Sequence, residues 1–230
     1  MTAKLPRRAA VYHTVRERIL RGDPAAGRPV NESRLAAELG VSRTPLREAL
    51  FLLEHDGFIR SDLARGFSVL PLTAREVREI YPILWALECL ALRSIQQPAG
   101  VVALERINRR MEMGAANPAG TLDADIQWHA ALLHGCPNAH LLRMIASLKH
   151  VTFRYEYAYM RAPALIATSL AQHRAIGQTL EAGDVAQAVA LLEGHWRVGM
   201  EALLGHVDWV VGADDAGTVV GSAKATSARR

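Results

Sequence analysis

The sequence has few cysteines, few aromatic residues and no long apolar segment. Its two cysteines, Cys89 and Cys136, lie far apart and form no CxxC pair, which excludes a disulfide framework and fits a reduced cytosol. Apolar runs stay well short of the roughly 18 residues that a membrane-spanning helix needs, so we expect no membrane contact. The basic start, with Lys4, Arg7 and Arg8, has no apolar segment behind it and is not typical of a secretory signal. The sequence therefore predicts a cytoplasmic protein.

The sequence does have hydrophobic residues in quantity and an uneven distribution of charge. Half of the 230 residues are hydrophobic, which allows a sizeable core and excludes global disorder. Residues 1–72 contain 12 Lys/Arg against 8 Asp/Glu, whereas residues 73–211 contain 12 against 13. Because a small basic domain attracts phosphates by releasing counterions, the first third is the candidate nucleic-acid-binding part. The alternative is an ordinary solvated surface.

The first third has the pattern of a winged helix-turn-helix. Three segments have apolar residues at helical spacing, and they are 9–21, 32–39 and 43–57. Asn31 and Ser42 stand where the second and third helices need an N-cap. Two later segments alternate like short strands, and they are 58–61 and 66–69, joined by a tip at 62–65. We therefore predict three helices plus a β-hairpin in a domain over residues 1–72.

The rest of the chain has helical signals only. Six helices are expected, over 74–97, 101–116, 121–134, 138–161, 163–182 and 185–204. Gly, Pro, Asn or Asp lies in or beside each break, which predicts an antiparallel helical bundle over residues 73–208. Residues 209–230 are rich in small residues with a basic end, and we expect a disordered tail there. The predicted fold class is mainly α.

The third helix has the side chains of a DNA-reading element at its start. Arg43 and Arg47 are i,i+4 neighbours on one face, and Arg is the side chain best suited to bidentate contact with guanine. Thr44 offers a hydroxyl to phosphate and a methyl to thymine. At the hairpin tip, Gly66 allows close approach of the backbone and Arg65 can enter a minor groove. The alternative is that these arginines are solvated helix charges.

Four residues of the bundle form a candidate metal site. Asp125 and His129 are i,i+4 neighbours, so carboxylate and imidazole lie on one helix face. The last two helices are joined by a short turn at 182–184, which brings His173 and His195 to about the same level. One Asp with three His suits zinc, nickel, manganese or iron. The alternative for each histidine is an ordinary surface or core position.

The chain resembles a known family of regulators. The segment GRPVNESRLAAELGVSRTPLREALFLLEHDGFI at 27–59, followed by RGFSV at 65–69, closely resembles the GntR family of bacterial transcriptional regulators. The resemblance implies that the arginines and threonine of the third helix contact bases or phosphates, with Arg65 and Gly66 in the wing. Ser33 and Arg34, at the start of the second helix, are further phosphate candidates.

The bundle is similar to the ligand-binding (FCD) domain of the FadR-like branch of that family. The metal-binding kind of this domain has an Asp and a His four apart on one helix and single histidines on two later helices. Asp125 and His129 match the first pair, and His173 and His195 match the later section. The resemblance implies a divalent metal ion at the base of a pocket, often with a small organic acid above it.

One departure from the family pattern affects the expected ligand contacts. Many relatives have an Arg three residues before the Leu87-Glu88 pair, and this chain has Leu84 there. A carboxylate clamp is therefore missing. Three other residues are candidates for effector binding, namely Arg154, Trp85 and Tyr155. The alternative for the aromatic residues is packing in the bundle.

These observations predict a ligand-responsive repressor and not an enzyme. It would bind a palindromic double-stranded operator as a homodimer in the bacterial cytoplasm, on the nucleoid when bound to DNA. A small organic acid at a metal-containing pocket would change its DNA affinity. Two alternatives remain open. One is a metal-dependent enzyme, although no nucleophile elbow or phosphate loop accompanies the candidate ligands. The other is a DNA-binding protein whose bundle only dimerises.

Overall fold

The structure, a computed structural model, describes residues 7–62, 65–96 and 100–205. The first part contains α1 (Arg7–Leu20), α2 (Glu32–Leu39), α3 (Arg43–His55), β1 (Ile59–Asp62) and β2 (Gly66–Val69). The second part contains α4 (Ala74–Arg93), α5 (Val101–Met113), α6 (Pro118–Leu132), α7 (Ala139–Tyr159), α8 (Pro163–Glu181) and α9 (Val185–Gly205). The mainly helical fold class, with three helices and a hairpin before a helical bundle, is confirmed. The tail predicted over 209–230 lies outside the described residues.

Local capping chemistry positions the helix-turn-helix. The Asn31 side chain accepts a hydrogen bond of 3.0 Å from the backbone N–H of Arg34, which satisfies one free donor of α2. Gly40 ends α2 with a φ of 62°, a conformation that glycine adopts without a Cβ penalty. Ser42 precedes α3 as expected, but its side chain makes no capping hydrogen bond to the described residues. The short turn therefore places α3 directly after α2.

The hairpin is part of a slightly larger β structure than the sequence predicts. The two strands are antiparallel, with Ile59 opposite Val69. The segment before α2 pairs with the second strand as well, because the Val30 N–H donates to the Phe67 carbonyl at 2.8 Å. This second pairing was not predicted, because the segment reads as a turn and its partner lies far away along the chain. It fixes the hairpin against the start of α2.

Helix α7 fastens the linker between the two parts of the chain. The Arg154 guanidinium donates to the backbone carbonyls of Leu70 (2.9 Å) and Pro71 (3.3 Å). It also forms an ion pair of 3.2 Å with Glu76 on α4. Tyr155 adds a hydrogen bond from its hydroxyl to the same carboxylate. Since Arg154 is buried, these contacts are protected from water and hold the linker on the bundle.

We expect Arg154→Ala to lower the free energy of unfolding by about 1–3 kcal/mol, because a carboxylate and two carbonyls lose a charged donor. Urea denaturation measures this loss, and limited proteolysis should show faster cleavage at 70–73. Arg161→Ala, an exposed arginine just after α7, is the matched control. Equal denaturation midpoints for the two variants would contradict the role of Arg154 as a linker clamp.

The bundle interior contains an unusual number of polar side chains. They include carboxylates, amides and imidazoles at less than a tenth exposure, namely Glu88, Asn108, Asp125, His129, Glu156, His173 and His195. Aromatic and aliphatic residues such as Trp128 and Leu192, both fully buried, surround them. Buried polar groups are costly unless they are paired or bind a ligand, so this cluster is the candidate site of the bundle.

None of the helices in the described part of the chain combines the length and the apolar character that a membrane-spanning segment requires.

Candidate metal centre and DNA interface

Three buried histidines from three helices meet at the centre of the bundle. His129 lies on α6, His173 on α8 and His195 on α9, and one ring nitrogen from each lies within 4.8 Å of the others. Gly183, with a φ of 80°, makes the tight turn that runs α8 and α9 antiparallel. The antiparallel pair of α8 and α9 therefore brings His173 and His195 to the same level along the bundle, with their ring centroids 5.0 Å apart.

The other nitrogen of each ring is held by a neighbouring side chain. Each Nδ1 atom lies within hydrogen-bond distance of an oxygen, which is Glu88 Oε2 for His129 (2.9 Å), Asn108 Oδ1 for His173 (3.2 Å) and Gln172 Oε1 for His195 (2.8 Å). Because these oxygens accept, each Nδ1 carries a proton, and in the neutral rings of His173 and His195 the lone pair lies on Nε2. Histidines that bind metals in proteins are oriented in this way.

Asp125 completes the set. Its Oδ1 atom lies 3.5 Å from His173 Nε2, and its Oδ2 atom lies 3.9 Å from His129 Nε2. Two ligands about 2.1 Å from one ion in a tetrahedral arrangement are about 3.4 Å apart, which is close to this spacing. Asp125 Oδ1, His129 Nε2 and His173 Nε2 are buried and make no hydrogen bond to the described residues. A divalent metal ion would satisfy all three atoms at once.

The protonation of these groups suits a metal. Burial lowers the pKa of His173 and of His195 well below the usual value, so both imidazoles are neutral, as metal ligands must be. Burial also raises the pKa of Asp125 to about 6, although the charges of His129 and Lys149 act in the opposite direction. Asp125 is therefore still mainly ionised at neutral pH.

The wider cluster has an excess of negative charge. Burial alone would raise the pKa of Glu88, but the charges of His129 and Lys149 outweigh it and hold the pKa at about 2. The Lys149 ammonium lies 3.4 Å from the Glu88 carboxylate. With Asp125 and Glu156, the buried cluster has three carboxylates, against the ammonium of Lys149 and the imidazole of His129. A divalent cation would neutralise this excess, which is costly in a dry interior.

The structure places the three predicted effector residues away from the histidines. Arg154 and Tyr155 contact the linker, and Trp85 is half-buried beneath the Arg197 guanidinium at 5.0 Å. Within the described ranges, none of the three lines a cavity that the metal ligands line. Effector binding by Arg154, Trp85 and Tyr155 stays a prediction, and in this structure the polar groups of Arg154 and Tyr155 have protein partners.

Sequence reasoning missed the side chains that surround the metal ligands. The sequence pattern indicates Glu88 only through the Leu87-Glu88 pair, and it gives no sign of Asn108, Lys149 or Glu156. Each comes from a different helix or from a distant part of the chain, so no local spacing connects it to a histidine. The Leu87-Glu88 pair was the one available signal.

The predicted DNA-binding residues of α3 lie on the exposed face of that helix. Arg43, Thr44 and Arg47 are exposed on the first turns of α3, while Leu46 and Leu50 on the opposite side are fully buried. The helix is thus anchored by one face and offers the other to a partner. This is the arrangement that a recognition helix requires.

Neighbouring side chains hold the two arginines in place. Arg43 donates a hydrogen bond of 2.9 Å to the Ser33 hydroxyl, and the Arg47 guanidinium lies 3.5 Å from the Glu32 carboxylate. Arg34 is exposed and pairs with Glu38 at 2.6 Å. Ser33 therefore lies at the recognition helix, whereas Arg34 is engaged on its own helix.

The predicted wing begins close to α3. Gly66 has a φ of 75°, and a Cβ at this position would lie 3.6 Å from Glu32 Oε1, the carboxylate that also pairs with Arg47. Arg65 is exposed beside it. The rest of the predicted tip, residues 63–64, lies outside the described part. Arg65 and Arg47 thus belong to neighbouring parts of one surface.

Comparison with known proteins assigns both parts of the chain. Residues 7–69 match the bacterial regulatory proteins of the gntR family, and residues 79–198 match the FCD domain. The chain therefore belongs to the GntR family of transcriptional regulators and has an FCD domain after its DNA-binding domain. The family consists of regulators and not of enzymes, so the alternative of a metal-dependent enzyme is not supported.

Individual relatives agree with this assignment. The HTH-type transcriptional regulator YdhC of Bacillus subtilis (strain 168) is 36% identical over 146 residues, which cover 61% of this chain and 64% of that protein. The gluconate operon transcriptional repressor of Bacillus licheniformis is 28% identical over 154 residues, or 64% of this chain and 63% of that protein. The match thus spans less than two thirds of each relative. A GntR regulator from Rhodococcus sp. RHA1 has the same fold, with a TM-score of 0.71, 23% identity and coverage of 87% and 98%.

Proposed function

We propose that this protein is a transcriptional repressor whose affinity for operator DNA is set by a small molecule bound beside a divalent metal ion. The observation that carries the proposal is the exposed arginine pair on the first turns of α3, in a chain whose second domain contains a buried Asp and three His. Such a protein works in the bacterial cytoplasm, on the nucleoid when bound to DNA. The repressor role is supported by the name of the gluconate operon relative.

The DNA-binding part of the proposal follows from the side chains of α3. Arg43 and Arg47 suit bidentate contact with guanine, and Thr44 suits phosphate or thymine. Ser33 and Arg34 are candidates for phosphate contacts, and Arg65 and Gly66 for contacts of the wing. One short helix offers few base contacts, so a dimer on a palindromic operator is needed for high selectivity.

A homodimer is supported by exposed apolar residues on α4. Ile83 and Leu90 are seven residues apart, which places them on one helix face, and each is about half exposed (50% and 51%). Exposed apolar side chains on one face are typical of an interface. We expect this face of α4 to pack against its counterpart in a second copy with two-fold symmetry.

Replacing Ile83 and Leu90 with glutamate should therefore halve the mass measured by size-exclusion chromatography with light scattering. Two glutamates placed in an apolar interface have no partner of opposite charge, and they therefore oppose association. Val102→Glu is the control, since Val102 is 80% exposed but lies on α5. An unchanged mass for the double variant would place the dimer interface elsewhere.

The metal ion would be held by Asp125, His129, His173 and His195. When bound, it supplies positive charge and open coordination positions for a ligand, and zinc, nickel or manganese suits this mixed set. The chain's own residues orient the imidazoles through Nδ1 and keep the cluster dry. The family resemblance predicts a small organic acid as the effector.

Helix α7 offers a route from the ligand to the DNA-binding part. Glu156 on α7 lines the cavity at the metal ligands, while Arg154 and Tyr155, two residues and one residue before it, bind the linker. A ligand that prefers one position of α7 would shift the populations of linker arrangements. The size of this shift is limited by the difference between the ligand's affinities for the linker arrangements.

The proposal is tested by selection of binding sites from a random duplex library, followed by fluorescence anisotropy with the selected duplex. We expect an inverted repeat to be enriched, and we expect its affinity to fall steeply with salt because counterions are released. Enrichment of no sequence, or equal binding to the selected and a scrambled duplex, would overturn the proposal.

A further inference from the structure

We propose that the cavity between the DNA-binding domain and the bundle is a second ligand site, which takes a small apolar organic acid without using the metal centre. The cavity has a volume of about 300 Å³. None of the four candidate metal ligands lines it, and it shares no lining residue with the small cavity at Asp125 and His195. The site therefore goes beyond the proposed function, in which the effector lies beside the metal ion.

Three parts of the chain form the walls of this interdomain cavity. The end of α1 contributes Leu20, the linker contributes Leu70 and Leu72, and α7 contributes Tyr157, among others. Apart from three arginines and Tyr157, the side chains that line it in the described part of the chain are aliphatic. Such walls suit the apolar body of a ligand and offer a sugar few hydrogen-bond partners.

The charged side chains at the interdomain cavity are all positive. They are Arg21, Arg154 and Arg161, and among the residues that the structure describes no carboxylate lines the cavity. Arg161 is exposed, and it forms no ion pair with a described residue. The Arg21 guanidinium lies 3.4 Å from Glu17, but both side chains are more than half exposed, so this pair is weak. Positive charge is therefore available to a ligand carboxylate.

Arg154 adds a buried donor that lacks a partner. Its Nη atoms donate to the linker carbonyls and to Glu76, but its Nε atom is buried and makes no hydrogen bond to the described residues. The side chain is only 5% exposed, so water does not readily replace the missing partner. A carboxylate accepts strong hydrogen bonds from a guanidinium, and a ligand carboxylate would satisfy this donor.

The cavity is large enough for a ring that carries a carboxylate. One water molecule needs about 10–15 Å³ measured in this way, and the interdomain cavity offers about 300 Å³. A ligand of this size would contact α1, the linker and α7 at once. It would stabilise the linker arrangement to which it binds, because ligand binding favours the binding-competent state by mass action.

The test uses three probes, which are benzoate, benzamide and glucose 6-phosphate. Benzoate and benzamide have nearly the same shape and differ in charge, whereas glucose 6-phosphate is an anion with a polar body. Binding to the full-length protein is measured by ligand-observed NMR titration, before and after treatment with chelator. We expect benzoate to bind about fivefold or more tightly than benzamide, because hydrogen bonds between charged groups are about twice as strong as neutral ones. We expect it to bind more tightly than glucose 6-phosphate as well, and both preferences should persist after chelation.

Variants assign the preference to the interdomain cavity. The double variant Arg21→Gln, Arg161→Gln removes two exposed charges, so it should fold normally and lose most of the preference for benzoate over benzamide. Ala26→Trp, at another exposed lining residue, should fill the cavity and weaken both compounds. Arg143→Gln, an exposed arginine of α7 that does not line the cavity, is the matched control and should behave as the parent. Saturating benzoate should also slow cleavage at 70–73 in the parent but not in the double variant.

The inference is overturned if benzamide or glucose 6-phosphate binds as tightly as benzoate, or if the double variant keeps the preference of the parent. It is equally overturned if chelation abolishes the preference, because the acid would then bind at the metal ion. Elemental analysis and operator binding of the same samples separate these failures from that of the proposed function. Parent protein with bound metal and normal operator affinity leaves the proposed function intact, whatever the interdomain cavity binds.

Discussion

Replacing Arg43 and Arg47 with alanine should weaken operator binding by about 1–3 kcal/mol for each arginine, because each loses a bidentate contact with a base or a charge at a phosphate. The two side chains contact different partners, Ser33 and Glu32, so their effects should be nearly additive in the double variant. The combined loss of about 2–6 kcal/mol corresponds to a fall in affinity of about 30-fold to 10⁴-fold. Fluorescence anisotropy with the selected duplex measures it.

A matched control separates contact with DNA from a loss of net charge. Arg109→Ala removes an arginine of the bundle whose side chain is 74% exposed, and it should leave operator affinity nearly unchanged. The salt dependence distinguishes two kinds of contact. A lost phosphate contact lowers the slope by about one, whereas a lost base contact relaxes sequence preference. Equal affinities for Arg43→Ala, Arg47→Ala and Arg109→Ala would refute the assignment of α3 as the recognition helix.

Loss of the metal should be the second large effect. His173→Ala should reduce the metal content, measured by elemental analysis of protein purified without chelator, from about one ion per chain to near zero. It should also lower the melting temperature. A metal present at about a thousand times its dissociation constant stabilises the folded state by about 4 kcal/mol, and this contribution would disappear.

Chelation separates the metal from packing in this experiment. His173 is fully buried and stacks on Trp128 with ring centroids 3.7 Å apart, so alanine also leaves a cavity. The difference in melting temperature between the parent and His173→Ala should therefore shrink, but not vanish, when both are treated with chelator. His140→Ala, an exposed histidine of α7, is the control. Equal metal content in the parent and His173→Ala would rule out this ligand set.

Much of the DNA-binding domain could be predicted because its signals are local. The Asn31 cap, the left-handed Gly40 and the basic start of α3 act over a few residues, and the structure has α2 over the predicted residues. The pairing of Val30 with Phe67 could not be predicted, because it depends on how the chain folds back over the hairpin. Interactions between near neighbours in the sequence determine the individual helices and strands, and long-range backbone pairing joins them.

The four candidate metal ligands also follow from short-range rules. The i,i+4 spacing joins Asp125 to His129, and the short α8–α9 turn brings His173 level with His195. The meeting of these two pairs was predicted from the family resemblance and not from spacing, and nothing in the sequence indicated that the Nδ1 atoms of His129 and His173 lie at Glu88 and Asn108, which are 41 and 65 residues away along the chain. The contacts of Arg154 and Tyr155 with the linker could not be predicted for the same reason.

The sequence by itself determined the order of the helices, the basic face of α3 and the residue types of the candidate metal site, because capping, helical spacing and turn length act between near neighbours. Only the tertiary structure decided which face each α7 residue occupies, with Arg154 at the linker and Glu156 at the cavity. Packing of separate helices sets these positions. The residue pattern within one helix does not show which neighbouring helix each of its faces will contact.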